Sequence, residues 1–585
     1  MAGASPVSSR SSRSAVAAHS LVGAGHVRGS AYGGGCPRRD SLSSSGGASS
    51  VRRLIAAVRH TPSRLGPLYS RRVLLRNLAA LCLGHAAASA ALLPLLALQA
   101  AASAWGAGLP GTLLLSAMFC AGAAGSLVAP WLVRRLGSTP VLLLGYAHAC
   151  VFCGLHLWPL ASALVPAYLV MGAWLGPLAV ARTACLCTLA AKLSWLRAGD
   201  PDDADEEARR RDAELRRLAR ALQAAQDAGL ALGSVAAALL LRHALPPGPE
   251  APLPSTFALD ESGERVCGSW ACPWAGRSWA AGAAALTLNL SLALSSASSL
   301  PPSLAASSAA PWPSGAAAAA AVDADASEAE PSDEEAVPCR AAATLAAVFL
   351  GCAVMALAVS AALLDRLRPA ERQDPLERGA GAAAMRAVAA ALRDPRLRLA
   401  APLAAFTGLE QGFLYADFSQ SYVLCALGLP DVSLSFLSLG ALQSLAAATL
   451  SLLLQHARRC LAIVVGFVFH ACLLLVLMLW KPTGDDPALF YVIAAAWGVC
   501  NAVWETLTFS FIMDLYPDSW QAPLAQCHCF RCVGLAVAFG VHAGICNWVK
   551  LYALAGALVL AIGPYAWLEM KLDLRRKNKM DLASL

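Results

Sequence analysis

Glu410 and Asp417 lie in FTGLEQGFLYADFSQSYVLCALGLPD, residues 406–431, whose surroundings are apolar enough to be membrane-embedded. An ionised carboxylate at bilayer depth costs roughly 2.5–3.5 kcal/mol even on lenient insertion scales, so such residues face a bundle interior, a partner or a water-filled cavity. In those places an acid can carry a proton or a cation, or hold its helix in place by pairing with a buried base. The two acids are seven residues apart, nearly two turns of a regular α-helix. That spacing predicts one stripe, about 10 Å long, that also takes in Ser421 one turn further on. Gln411 adjoins the first acid.

Other polar residues interrupt apolar runs. Arg182, in AVARTACLCTLAAKLS, is about ten residues from the next loop, too deep for easy snorkelling, and is expected to be interior and ion-paired. Glu505, in WGVCNAVWETLTFSF, has Asn501 one turn before it. Arg531 is a candidate partner for Glu505 or Asp514, because pairing would offset the desolvation of both charges. CHCFRC at 527–532 resembles a metal-binding run, but a closed zinc site needs four ligands and no second pair lies nearby. We expect small residues packed beside a buried Arg, with no metal and no cofactor. No P-loop, GxSxG, HExxH or dinucleotide fingerprint occurs in a suitable context, which argues against an enzyme.

The elements that must position these residues follow from composition. Of 585 residues, 57% are hydrophobic and 14% charged, against about 25% charged in soluble domains. With apolar runs recurring along the chain, this predicts an all-α polytopic membrane protein. Twelve spans are expected near 74–97, 111–133, 139–158, 163–191, 223–245, 341–364, 398–422, 432–454, 460–480, 488–513, 521–545 and 550–570. Residues 1–72 read as a disordered basic tail. Residues 197–220 read as a solvated helix continuing into the fifth span, and 365–397 as a polar linker between two six-helix halves.

The net charge of +8 is topological information rather than a sign of nucleic-acid binding. Arg71, Arg72, Arg76, Arg134, Arg135, Arg458, Arg459, Arg575, Arg576 and Lys577 fall on one side if the N-terminus is cytoplasmic, with Lys481 and Lys550 as isolated charges opposite. Both termini are then cytoplasmic, and 246–340 is a low-complexity loop outside. The run 278–298 within it is marginal as a thirteenth span. In that loop CGSWACP predicts a disulfide between Cys267 and Cys272, and Asn289-Leu290-Ser291 a glycosylation site.

Two blocks go beyond composition: GLEQGFLYADFSQSYVLCALGLPDV at 408–432 and AAAWGVCNAVWETL at 494–507. They resemble signature stretches of the Unc-ninety-three-like family, a branch of the major facilitator superfamily. RNLAALCLG (76–84), GPLAVARTACLCTL (176–189), CGSWACP (267–273) and LRDPRLRLAAPL (392–403) add to the likeness. The chain departs from the family pattern at span ten, which more often has Asp where Asn501 stands and Gln where Glu505 stands.

The resemblance implies a major-facilitator-like bundle of two pseudo-symmetric halves around a central cavity. It also implies a partner role. One branch of the family regulates two-pore potassium channels, and another is a trafficking chaperone for Toll-like receptors. We therefore expect a non-enzymatic regulator of a potassium channel, in the plasma membrane or an endomembrane. A proton- or cation-coupled secondary transporter and a receptor chaperone are the alternatives.

Overall fold

A backbone in lipid must satisfy its own hydrogen bonds, so apolar runs of this length fold as helices. The computed structural model describes residues 69–107, 109–197, 204–245, 265–272, 339–365, 380–454 and 459–584, all within the unit Ser63–Leu585. Asn289, the 278–298 run and nearly all of the basic tail lie outside the described residues.

The first half comprises α1 (Arg71–Ala102), α2 (Gly111–Leu136), α3 (Ser138–Leu155), α4 (Ala161–Arg197), α5 (Ala204–Ala244) and α6 (Cys339–Leu363). A linker helix, Ala380–Arg393, follows. The second half comprises α7 (Pro395–Phe413), α8 (Leu429–Leu453), α9 (Arg459–Leu479), α10 (Pro487–Leu515), α11 (Gln521–Val541) and α12 (Asn547–Ser584). α7 continues through a π-helix, Leu414–Leu424, into a last turn, Cys425–Leu427. Every helix of the twelve except α7 is long and apolar enough to cross a membrane. α7 is the polar one, carrying Glu410, Gln411 and, on its π continuation, Asp417 and Gln420.

The packing repeats after six helices. α1 lies against α5 and α6, α2 against α4, and α3 against α4 and α6; correspondingly α7 lies against α11 and α12, α8 against α10, and α9 against α10 and α12. The halves meet along α2 with α11 and α5 with α8, which the same renumbering exchanges. The two six-helix halves thus repeat one packing plan, related by a pseudo-two-fold exchange. Small residues allow the tightest crossing. A Cβ on Gly408 of α7 would sit 2.0 Å from the Arg531 carbonyl oxygen of α11, and one on Gly534 would sit 2.1 Å from that of Ala405. The linker helix packs across α2 and α11.

α5 runs unbroken from its charged first turns into its apolar part. The large exposed apolar side chains, among them Val464, Val468 and Leu475 on α9 and Tyr552, Val559 and Leu560 on α12, form the lipid-facing surface.

Candidate functional site

Asp394 caps the start of α7, accepting from the Arg396 N–H, and Pro395 occupies the first turn, where a missing N–H costs nothing. Further along, the helix widens. Over Leu414–Leu424 each turn takes in an extra residue, and Ser419 donates its hydroxyl back to the Leu414 carbonyl, five residues earlier, at 2.8 Å. The single stripe expected from the seven-residue spacing is therefore not what forms. That spacing places two residues on one face only while the helix remains α, and here the π segment begins between them. Glu410 and Asp417 end in separate surroundings, and Ser421 is buried on the π segment.

Asp417 belongs to a charge cluster at the end of α7 near the Cys425 turn. Its Oδ1 accepts from Lys550 Nζ at 2.5 Å and lies 2.8 Å from His542 Nδ1. Lys550 also donates to the His542 carbonyl at 2.7 Å and to Asn547 Oδ1 at 3.3 Å, which uses all three ammonium protons. His542 Nε2 reaches Gln420 Oε1 at 2.6 Å. Lys550, counted above as a loop charge, is instead buried at the start of α12. One residue inside a span boundary, its sequence position could not separate the two.

Glu410 is fully buried between α7, α9 and α10. His470 Nδ1 is 3.3 Å from its Oε2 and accepts from the Trp504 indole at 3.1 Å. Neither Glu410 oxygen has a hydrogen-bond donor among the described residues.

The neighbouring Gln411 faces the other way, into the contact with α10 and α11. Arg531 pairs with Glu505 at 2.6 Å and donates to Gln411 Oε1 at 2.7 Å, while Gln411 Nε2 donates to Glu505 Oε1 at 3.2 Å. The three close a ring of charge-assisted bonds. Asp514, the other acid considered for Arg531, pairs with Arg459, which also reaches Glu569 at 3.5 Å.

Arg182 is interior but is not ion-paired among the described residues. Its Nη1 lies 2.8 Å from His85 Nδ1, and His85 Nε2 lies 3.0 Å from Gln226 Oε1. A histidine takes the place of the expected acid. Asn501 donates to Gln443 Oε1 at 3.3 Å, and Gln443 donates to Asp227 at 3.2 Å, joining α10 and α8 to α5 of the other half. Neither Asp227 nor His85 was singled out in the sequence reading. An acid within i, i+4 of Gln223, in a run that turns apolar, was the available signal for Asp227.

Arg182, Glu505 and Arg531 border one cavity of about 280 Å³ between the halves, together with His85, Arg216, Arg220 and Arg459. Glu410 and Asp417 do not line it. Within CHCFRC, Cys527, His528 and Arg531 also line the cavity, and no group of ligands that could hold a metal occurs among the described residues.

The cysteine expectation is corrected. Cys267 bonds to Cys425 and Cys272 to Cys546, rather than to each other. The intervening turn, Gly268–Trp270, lies on the end of the second half. The Gly268 carbonyl accepts from Asn547 Nδ2 at 3.2 Å, Ser269 donates to the Met478 carbonyl at 3.2 Å, and the Ala271 carbonyl accepts from Asn547 N at 3.1 Å. Gly268 has φ +83, and a Cβ there would meet Pro482 at 2.5 Å. So docked, each cysteine reaches a different helix end.

No family model matches the chain. Human Protein unc-93 homolog A is 32% identical over 228 residues, 39% of this chain and 50% of that protein. The Caenorhabditis elegans Putative potassium channel regulatory protein unc-93 is 27% identical over 177 residues, 30% of this chain and 25% of that one. The chain thus spans about half the length of the curated homolog A relatives it matches. A solved major facilitator superfamily transporter, FucP, in the outward conformation, covers 85% of this chain and 99% of its own at 12% identity and a TM-score of 0.48. Over the matched 30–39% of its length the chain is similar to unc-93 proteins, and its packing repeats after six helices.

Proposed function

We propose that this multi-pass membrane protein is a non-enzymatic regulatory subunit of another integral membrane protein, a potassium channel. The name of the nematode relative supports the partner class. The observation that carries the accessory role is that the acids of α7 are kept away from the cavity: Asp417 is clamped by Lys550 and His542, and Glu410 is enclosed beside His470. An acid that drives transport must exchange its proton or ion with a water-filled path. A helix pinned at Asp417 serves better as a rigid support for lipid-facing faces that another protein's spans can engage. Affinity purification from native membranes, with mass spectrometry and current recording, should recover a channel whose current changes when this chain is removed.

The cavity favours a second reading, a secondary transporter working through Glu505. Recovery of no channel, together with substrate or proton flux in liposomes that Glu505→Gln abolishes, would establish that reading instead.

The proposed orientation has both termini in the cytoplasm. Two disulfides at the end bearing Cys425 and Cys546 support placing that end in an oxidising compartment. Protease protection of tags at residues 2, 320 and 585 should find the first and last on the same side and the middle one opposite. A C-terminal tag opposite the N-terminal one would overturn the arrangement.

A further inference from the structure

We propose that the central cavity binds a small anion bearing a carboxylate or a phosphate, held between Arg182 and Arg531. Five guanidinium groups line this space, Arg182, Arg216, Arg220, Arg459 and Arg531, and Glu505 is the only acid lining it among the described residues. Their neighbours do not balance the charge evenly. Arg459 is taken by Asp514 and Glu569, and Arg531 by Glu505 with Gln411. Arg216 has Asp212 within electrostatic range.

Arg182 has no carboxylate within ion-pair distance among the described residues, and its one polar contact is the His85 ring. If His85 donates Nε2–H to Gln226, its Nδ1 is left to accept from Arg182, so the ring adds no negative charge. An uncompensated guanidinium inside a membrane bundle is costly, and an anion entering the cavity would relieve that cost.

Two further observations point to a ligand. Arg216 Nε and Thr508 Oγ1 are buried without a hydrogen-bond partner, and both residues line this cavity. At about 280 Å³ the space lies just below the usual ligand range of roughly 300–1,000 Å³, so it suits a small metabolite or a lipid headgroup rather than a peptide. A planar guanidinium pairs with carboxylate and phosphate alike through two parallel bonds, which is why the shared chemistry is assigned rather than one compound. The proposal is independent of the accessory reading, because an anion can occupy the cavity whether or not the chain has a partner.

The test uses the full chain purified in uncharged detergent and measures its unfolding midpoint against increasing citrate, L-glutamate, inorganic phosphate or dihexanoyl-phosphatidic acid. Sodium chloride at matched ionic strength and dihexanoyl-phosphatidylcholine are the controls. At least one anion should raise the midpoint saturably where the controls do not. A response to soluble anions identifies a metabolite site, and a response to phosphatidic acid alone identifies a lipid headgroup site.

Arg182→Gln should weaken the apparent affinity about tenfold or more, as loss of a charge-assisted bidentate pair implies, with Arg182→Lys intermediate. Glu505→Gln should tighten it, by roughly three- to tenfold, since Arg531 is then released toward the ligand. No saturable shift with any probe, or equal affinity in wild type and Arg182→Gln, would overturn the proposal. Should Arg182→Gln fail to fold, Glu505→Gln decides: tightening supports the site, and unchanged affinity rejects it.

Discussion

Replacing Asp417 by Ala should destabilise the folded bundle by about 3–5 kcal/mol, the cost of leaving a buried charge without its counter-ion. Lys550 is 7% exposed and Asp417 1%, and removal of the carboxylate leaves an ammonium group with two carbonyl-type acceptors but no negative charge. His542 loses one of its two side-chain partners in the same change and keeps Gln420. The expected readouts are a marked fall in the unfolding midpoint in detergent and a loss of monodisperse protein.

The double change Asp417→Leu with Lys550→Met should recover most of that loss, because a buried pair exchanged for apolar side chains is often neutral or stabilising. If the double variant is no more stable than Asp417→Ala, the pair is not the source of the effect. The Arg76–Asp365 pair provides the contrast. Its side chains are 49% and 43% exposed, so Arg76→Gln should cost no more than about 1 kcal/mol.

The disulfides carry the second large effect. Cys272→Ser or Cys546→Ser should each lower stability by roughly 2–4 kcal/mol in protein made in secretory cells, since the bond closes a loop of 274 positions and holds the 267–272 turn on the bundle. Digestion without reduction should yield one peptide pair joining Cys267 to Cys425 and another joining Cys272 to Cys546. In Cys546→Ser, the free thiol should appear at Cys272. A fragment in which Cys267 and Cys272 are bonded to each other would reject this connectivity and return to the pairing that their short spacing suggests.

The fold class was legible in the sequence because lipid leaves an apolar run of twenty residues little choice but a helix. Arg531 was legible as a candidate partner for Glu505 or Asp514 for a related reason, since opposite charges stranded in apolar runs each need a counter-charge, but the sequence did not choose between the two acids. Reading by periodicity failed where the helix stopped being α. Nothing in LYADFSQSYVL announces a π-helix, and the seven-residue rule was applied across one.

Spacing along the chain also said nothing about the partners of Cys267 and Cys272, because those depend on where a distant loop docks; connectivity cannot be deduced from sequence alone. Arg182 was expected to be ion-paired, but its neighbour is an imidazole contributed by α1. A lone histidine in an Ala-rich run, such as His85, resembles ordinary packing until the helix opposite is known.

The two disulfides interleave, the first spanning 267–425 and the second 272–546, and this governs how the chain would bear a pulling force. Load applied at the two ends crosses directly from Cys272 to Cys546 through sulfur, so the backbone between them, α6 through α11, carries no tension. Under oxidising conditions only α1 to α5 and α12 could be drawn out into extended chain, and the remaining helices would come free only after reduction. The covalent links thus make the middle of the sequence a mechanically shielded block, whose lower boundary at Cys272 falls in the loop between the two last helices of the first half.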